Sequence, residues 1–111
     1  MNALTVGERT LALDKDGYLA DRRDWSADVA TALAAAEGIE LGPEHWEVLQ
    51  LLRAFYDEFQ LSPATRPLIK YTALKLGVHK GNSLHLNRLF KGTPAKLAAK
   101  LAGLPKPTNC L

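Results

Sequence analysis

The sequence has 111 residues, of which 47% are hydrophobic and 23% charged, and its formal net charge is +2. This length and composition are those of one ordinary globular domain with a single hydrophobic core. The sequence has no apolar run long enough for a membrane span, no signal-peptide core in its first 20 residues, and one cysteine, which excludes an internal disulfide and a multi-cysteine zinc site. We therefore expect a small cytoplasmic domain.

The predicted elements are a β-hairpin followed by five short helices. Two brief alternating runs, residues 4–6 and 11–13, flank Gly7-Glu8-Arg9 and predict the hairpin. Capping residues, first-turn prolines and terminal glycines mark the helices. These signals predict helices that begin at Ser26, Pro43, Thr65, Asn82 and Thr93-Pro94, and glycines end three of them at Gly38, Gly77 and Gly103. The predicted fold class is mostly α, a small helical bundle with an N-terminal β-hairpin (α+β by some schemes).

Apolar spacing predicts the buried helix faces. In the helix that opens at Pro43, apolar side chains recur at three- and four-residue intervals from Trp46 to Phe59, which is typical of the main core helix. In the helix over residues 65–76, the predicted buried side consists of Ile69, Thr72, Ala73 and Leu76.

The charge is distributed unevenly along the chain. Residues 1–60 hold all twelve acidic residues and have a net charge of −7, whereas residues 61–111 have a net charge of +9 and no acidic residue. One interpretation is attraction between the two halves across the fold. The other is a basic face for a polyanion or an acidic protein surface.

Most of the conspicuous side chains have structural explanations. Trp25 and Trp46 are interpreted as core or staple residues, and His45 as a surface or capping residue beside a helix start. His79 and His85 lack a nearby cysteine or acidic residue, so we do not predict a metal site. The sequence shows no catalytic triad, carboxylate pair or phosphate-binding loop.

A helix-turn-helix is an alternative interpretation of residues 63–90. It would comprise the helix over 65–76, a turn over 77–82, and a second helix carrying His85, Asn87 and Arg88. Paired helices are also common in structural bundles, so a DNA-binding regulator stays an alternative hypothesis.

The last eight residues predict a flexible arm. We divide the chain into a helical domain over residues 1–103 and an arm over residues 104–111, in which two prolines favour extended geometry. Eight extended residues would reach about 25 Å from the body. Cys110 lies near the tip of this arm, and such a thiol suits a persulfide carrier that enters two active sites in turn. The alternative interpretation is an incidental cysteine on a frayed chain end.

The arm sequence from Ala102 to Leu111 resembles that of the DsrC/TusE family of sulfur-relay proteins. Further similar motifs extend through most of the chain: Asp16-Gly17-Tyr18-Leu19, Trp25, Pro43-Glu44-His45-Trp46, Ser62-Pro63-Ala64, Lys80-Gly81-Asn82-Ser83, Leu89-Phe90 and Pro94-Ala95-Lys96. The resemblance implies a small helical fold with a hairpin and a flexible arm. It also implies that Cys110 is the catalytic residue, a persulfide carrier that needs no metal and no organic cofactor.

Within this family, DsrC proteins have a second cysteine eleven residues before the arm cysteine, and this chain has Ala99 there. The resemblance is therefore to the single-thiol members, and it implies a TusBCD-type sulfur donor complex and the tRNA thiouridylase MnmA as acceptor, for wobble uridine 2-thiolation. The basic residues predicted to contact a partner or the tRNA are Arg66, Lys80, Arg88, Lys96 and Lys106. A single-cysteine DsrC-like protein in dissimilatory sulfur metabolism, or in its regulation, is the alternative within the family.

Overall fold

The computed structural model of the protein describes residues 2–108. In chain order, its elements are strands β1 (Asn2–Val6) and β2 (Arg9–Leu13) and helices α1 (Ala27–Ala36), α2 (Pro43–Phe59), α3 (Thr65–Leu76), α4 (Ser83–Leu89) and α5 (Pro94–Leu101). The predicted fold class, a mostly α bundle with an N-terminal β-hairpin, is confirmed. A short 3₁₀ turn at Arg22–Asp24, not predicted from the sequence, leads from the hairpin into α1.

The hairpin joins two antiparallel strands, from Asn2 opposite Leu13 to Val6 opposite Arg9. Its two-residue turn has Gly7 first, at a φ of +61°, which is the position where a type II′ turn requires glycine. Arg9, predicted to belong to the turn, belongs to β2 instead. Because Leu11 is buried and β1 packs against α1, the hairpin covers one side of the bundle.

Local capping signals set the helix starts as predicted. The Ser26 hydroxyl accepts a hydrogen bond from the Val29 N–H at 3.3 Å, and the Asn82 side-chain oxygen accepts one from the His85 N–H at 2.9 Å. These two bonds satisfy N–H groups that have no partner within the first turn of α1 and of α4. Helices α2 and α5 begin with proline, which needs no such partner.

Helix α5 lies at the centre of the bundle and packs against α1, α2, α3 and α4. Its side chains Ala98 and Ala99 are fully buried. Because they are small, they leave room for larger residues of the surrounding helices. The larger core residues are Val29, Leu33, Leu49, Leu52, Leu68, Leu86, Phe90 and Leu101. Leu104, which follows α5, belongs to the same core.

Helix α3 is turned slightly from its predicted orientation. Leu68 and Thr72 are its fully buried residues, whereas Ile69, Ala73 and Leu76 are half-buried. Thr72 tolerates burial because its hydroxyl donates a hydrogen bond to the Leu68 carbonyl at 2.7 Å. The sequence pattern identified Thr72 and missed Leu68.

Candidate functional site: the base of the thiol-carrying arm

Cys110, the predicted sulfur carrier, lies outside the described residues, which end at Thr108. The arm is therefore described to a point two residues before the thiol. The candidate site consists of this part of the arm and the body residues that contact it. We call the contacts that Trp25, Arg53 and Ser62 make with residues 101–105 the arm clamp.

Trp25 is the first member of the arm clamp. Its indole N–H donates a hydrogen bond to the Leu101 carbonyl at 2.8 Å, where α5 ends. Its ring also lies against Gly103, which has a φ of +73°, and a Cβ atom at this position would overlap the indole. Glycine at 103 therefore serves two purposes, the left-handed turn out of α5 and the close approach of Trp25. The prediction that Trp25 is structural agrees with this packing.

Arg53 is the second member. Its guanidinium lies over the Trp25 ring, with Cζ 4.1 Å from the ring centroid, and Nη1 donates a hydrogen bond to the Ala102 carbonyl at 2.6 Å. Burial lowers the pKa of Arg53, and the nearby Asp57 carboxylate opposes that shift. An arginine stays charged in proteins despite such a shift, so the clamp holds a partly buried cation at the C-terminal end of α5. A cation is favoured there by the helix dipole.

Ser62 is the third member, and it contacts the arm itself. Its hydroxyl donates a hydrogen bond to the Pro105 carbonyl at 2.5 Å. Leu104 is buried, its N–H donates to the Ala99 carbonyl at 3.0 Å, and Pro107 is buried as well. The first half of the arm thus packs on the body.

These contacts shorten the tether that is available to the thiol. The reach of about 25 Å predicted from the sequence counts all eight arm residues as free of the body. Counted from Pro107, the last buried residue within the described range 2–108, Cys110 is three residues further along the sequence, which is at most about 11 Å of extended chain. An arm that leaves the body at Pro107 therefore has less than half of the reach predicted for eight free residues.

Ala99, where the resemblance implies a second cysteine in DsrC proteins, is fully buried in α5. Its carbonyl binds the Leu104 N–H, so this residue supports the arm through its backbone. Its methyl side chain supplies no thiol, and the sequence has no other cysteine to pair with Cys110 within the chain.

A basic pocket of about 330 Å³ lies beside the arm. Four lysines line it, together with two acidic residues and a tyrosine: Lys91, Lys96, Lys100, Lys106, Asp16, Glu37 and Tyr18. Lys100 pairs with the Glu37 carboxylate at 3.2 Å, and Lys106 approaches Asp16 at 3.6 Å. We call this group the lysine pocket. Its net charge is positive, and one of its lysines belongs to the arm.

The predicted contact residues do not form one surface. The lysine pocket brings Lys96 and Lys106 together. Lys80 pairs with Glu47 at 2.7 Å, while Arg66 and Arg88 are exposed on α3 and α4. Sequence reasoning missed Lys91 and Lys100 as neighbours of this pair, although the four-residue spacing of Lys96 and Lys100 along one helix was an available signal.

His45 and His85 occupy structural positions. The Gly42 N–H donates to Nδ1 of His45 at 3.1 Å, and Nε2 lies 3.0 Å from the Leu89 carbonyl, so the predicted capping role is confirmed. His85 is buried, and its Nε2 atom lies 3.5 Å from a Glu44 carboxylate oxygen without a hydrogen bond. Within residues 2–108, no three His, Asp or Glu side chains are grouped as a metal site.

Helices α3 and α4 are joined through residues 77–82, the arrangement that the helix-turn-helix hypothesis requires. In α4, Asn87 and Arg88 are exposed, but His85 faces the interior. None of the helices within residues 2–108 has the length and hydropathy needed to cross a membrane.

Comparisons of the sequence and of the structure with known proteins lead to the same family. The family model described as "DsrC like protein" matches residues 5–111. The chain is 55% identical over 108 residues to the sulfurtransferase TusE homolog of Haemophilus influenzae, covering 97% of this chain and 99% of that one. It is 50% identical over 103 residues to sulfurtransferase TusE of Escherichia coli, covering 93% and 94%. The NMR structure of Allochromatium vinosum DsrC matches with a TM-score of 0.90 at 44% identity, over 99% of this chain and 98% of that one. The resemblance predicted from the motifs is confirmed.

Proposed function

We propose that this chain, which belongs to the DsrC-like family, is a sulfurtransferase. It carries sulfur as a persulfide on Cys110 between two protein partners. The arm clamp is the observation that carries the proposal. It fixes the chain at Pro105 and leaves a single thiol five residues further along. A thiol on a short tether with a fixed origin suits delivery into one active site after another.

The transfer needs no oxidant and no second thiol in this chain. The Cys110 thiolate attacks the outer sulfur of a donor persulfide, the donor's sulfur–sulfur bond breaks, and the donor cysteine leaves as a thiolate. An acceptor thiolate then attacks the outer sulfur on Cys110 and regenerates the Cys110 thiolate. Because Ala99 replaces the second cysteine, an internal disulfide does not compete with this cycle.

We propose a TusBCD-type complex as donor and an MnmA-type thiouridylase with its tRNA as acceptor, in the cytoplasm. The lysine pocket supports a contact with an anionic partner, because Lys96 and Lys106 lie together beside the arm. Lys96 is exposed on α5, and Lys106 is exposed on the arm itself. Arg66, Lys80 and Arg88 stay predictions that rest on charge alone.

A role in dissimilatory sulfur metabolism is a second candidate, favoured by the structural match to a DsrC protein. Ala99 argues against the two-thiol chemistry of such a protein, but it leaves single-thiol carriage in that setting possible. The two candidates share the persulfide on Cys110 and differ in the acceptor. For the DNA-binding hypothesis, the described residues offer only the succession of α3 and α4, joined through residues 77–82.

Intact-protein mass spectrometry after incubation with a cysteine desulfurase and the donor complex tests the proposal. We expect a reductant-sensitive gain of about 32 Da, one sulfur atom, in the wild type and none in Cys110→Ser. Absence of loading on a reduced, folded wild-type protein would contradict the relay function. Loss of tRNA 2-thiolation in a Cys110→Ser strain would support the tRNA pathway, and normal thiolation there would favour the second candidate.

A further inference from the structure

An open apolar cleft lies between α2 and α3, apart from the lysine pocket. Its volume is about 240 Å³, and its lining residues are Phe55, Phe59, Pro67, Lys70, Tyr71 and Leu74. Phe59 is 47% exposed and Leu74 76% exposed. Large apolar side chains that remain exposed around a concave apolar surface are typical of an interaction site.

The aromatic walls of this cleft support each other. The Phe55 ring centroid lies 4.6 Å from that of Phe59 and 5.0 Å from that of Tyr71, the latter in an edge-to-face arrangement. Phe59 also contacts Tyr71 edge-to-face, at 6.5 Å. These contacts are in the favourable range for aromatic pairs, so the cleft is already formed without a partner.

Two lysines border this apolar surface. Lys70 forms part of the cleft wall, and the Lys75 ammonium lies 5.6 Å from the centroid of the Tyr71 ring. Tyr71 also lines a second cleft of about 520 Å³, whose one acidic lining residue, Glu47, is paired with Lys80. The surface thus offers an apolar centre with a positive rim, which complements an apolar side chain flanked by carboxylates.

The cleft is near the arm clamp along the chain. Leu61, 55% exposed, follows the end of α2 and directly precedes Ser62, which holds Pro105 of the arm. A partner seated on the cleft would therefore contact Phe59, three residues before Ser62 in the sequence. The cleft is open and smaller than the roughly 300–1,000 Å³ of pockets that enclose small molecules, so it suits one anchoring side chain of a protein.

We propose that this surface, the α2–α3 docking face (Phe59, Lys70, Tyr71 and Leu74), binds the sulfur donor protein through an apolar anchor residue surrounded by acidic side chains. The proposal rests on the relay function proposed above. The donor is the better fit of the two partners, because an enzyme that binds tRNA needs basic side chains near its active site. Such a basic surface would repel Lys70 and Lys75. The sulfur donor has no such need for basic side chains near its active site.

The test measures the rate at which Cys110 acquires sulfur from the TusBCD-type donor as a function of donor concentration, using the full chain. The variants are Leu74→Gln, which removes an apolar contact, and Lys70→Glu, which reverses a rim charge. Their matched controls are Leu84→Gln, at a leucine that is 75% exposed on α4 and does not line the cleft, and Arg9→Glu in the hairpin. Each protein is also loaded with inorganic polysulfide, whose terminal sulfur is transferred to the thiolate without protein docking.

We expect KM for the donor protein to rise about tenfold in Leu74→Gln and Lys70→Glu, the scale of losing an anchor contact, with kcat retained. We expect the polysulfide rate to be unchanged, which separates a docking defect from a folding or thiol defect. KM values equal to those of the controls would overturn the docking face while leaving the relay function intact. A wild type that the donor fails to load would overturn both.

Two further outcomes would identify a different occupant and overturn the proposal. If the wild type sediments as a dimer that Leu74→Gln dissociates, the face binds a second copy of the chain. If the two variants lose tRNA binding and keep their KM for the donor, the rim binds nucleic acid.

Discussion

The guanidinium of Arg53 lies over the indole of Trp25, 4.1 Å from the ring centroid, and each side chain donates a hydrogen bond to a carbonyl at the end of α5. The accepting carbonyls, of Leu101 and Ala102, lie where a helix leaves its last carbonyls without helical partners. The pair therefore ends α5 and sets the direction in which the arm leaves it. The same two side chains therefore both end α5 and orient the residues with which the arm begins.

Arg53→Lys is expected to weaken the clamp although it keeps the charge. A lysine loses the planar stacking on Trp25 and the fixed geometry of the bond to Ala102, so we expect a loss of about 1–2 kcal/mol in the free energy of unfolding. Urea denaturation measures this loss, and hydrogen exchange at Gly103 and Leu104 should become faster. Arg22→Lys is the control, because Arg22 stacks on Tyr56 at 4.9 Å but is exposed. Equal stability of the two variants would contradict the role of the clamp.

Gly103→Ala tests whether the clamp needs a residue without a side chain. Gly103 and Gly7 both have positive φ, +73° and +61°, but a Cβ at Gly103 would overlap Trp25, while one at Gly7 would contact nothing within 4 Å. Gly7→Ala is therefore expected to cost about 1 kcal/mol for the backbone alone. Gly103→Ala should cost about 3 kcal/mol, since overpacking against the indole is added. Thermal unfolding of the two variants measures this difference in stability. Similar melting temperatures would show that the Trp25 side chain shifts to accommodate a methyl group at position 103.

Local signals predicted the elements of this fold well, because caps and turns act over three or four residues. Ser26 and Asn82 accept the N-terminal hydrogen bonds expected of them, and Gly38 and Gly77 follow α1 and α3. The buried face of α3 was only partly predicted, since Leu68 is selected by its packing in the core and not by spacing alone.

The arm clamp was not predictable in the same way. It joins residues 25, 53 and 62 to residues 101–105, and no local pattern indicates which tryptophan, arginine or serine meets a given carbonyl. Prolines at 105 and 107 correctly exclude a helix there, but they do not reveal whether an extended segment lies free or packed. The thiol itself was evident from composition and from the family motif.

Ser62→Ala is expected to loosen the arm where it leaves the body. The change removes the hydrogen bond to the Pro105 carbonyl and should lower the free energy of unfolding by about 1 kcal/mol. Because orientation of the thiol is partly lost, transfer from the donor protein should slow severalfold, whereas loading by polysulfide should not change. Stopped-flow transfer assays measure both rates. Ser83→Ala, at an exposed serine that opens α4, is the control, and equal transfer rates in the two variants would argue against a positioning role for Ser62.

The lysine pocket predicts two opposite effects on tRNA affinity. Lys96→Gln and Lys106→Gln should each weaken binding of the acceptor–tRNA complex and reduce the slope of log affinity against log salt by about 1, the value for loss of one phosphate contact. Asp16→Asn should strengthen binding, because it removes the carboxylate that lies 3.6 Å from Lys106. The stability of Asp16→Asn should be close to that of the wild type, since half-exposed ion pairs contribute little to folding.

Salt titrations of the complex, followed by fluorescence anisotropy, measure the slopes for these three variants. Arg9→Gln in the hairpin serves as the control, because it removes one positive charge away from the residues that line the pocket. If Arg9→Gln reduces the slope as much as Lys106→Gln does, the attraction comes from net charge and not from the pocket. If Asp16→Asn weakens binding, Lys106 acts by holding the arm to the body and not by contacting phosphate.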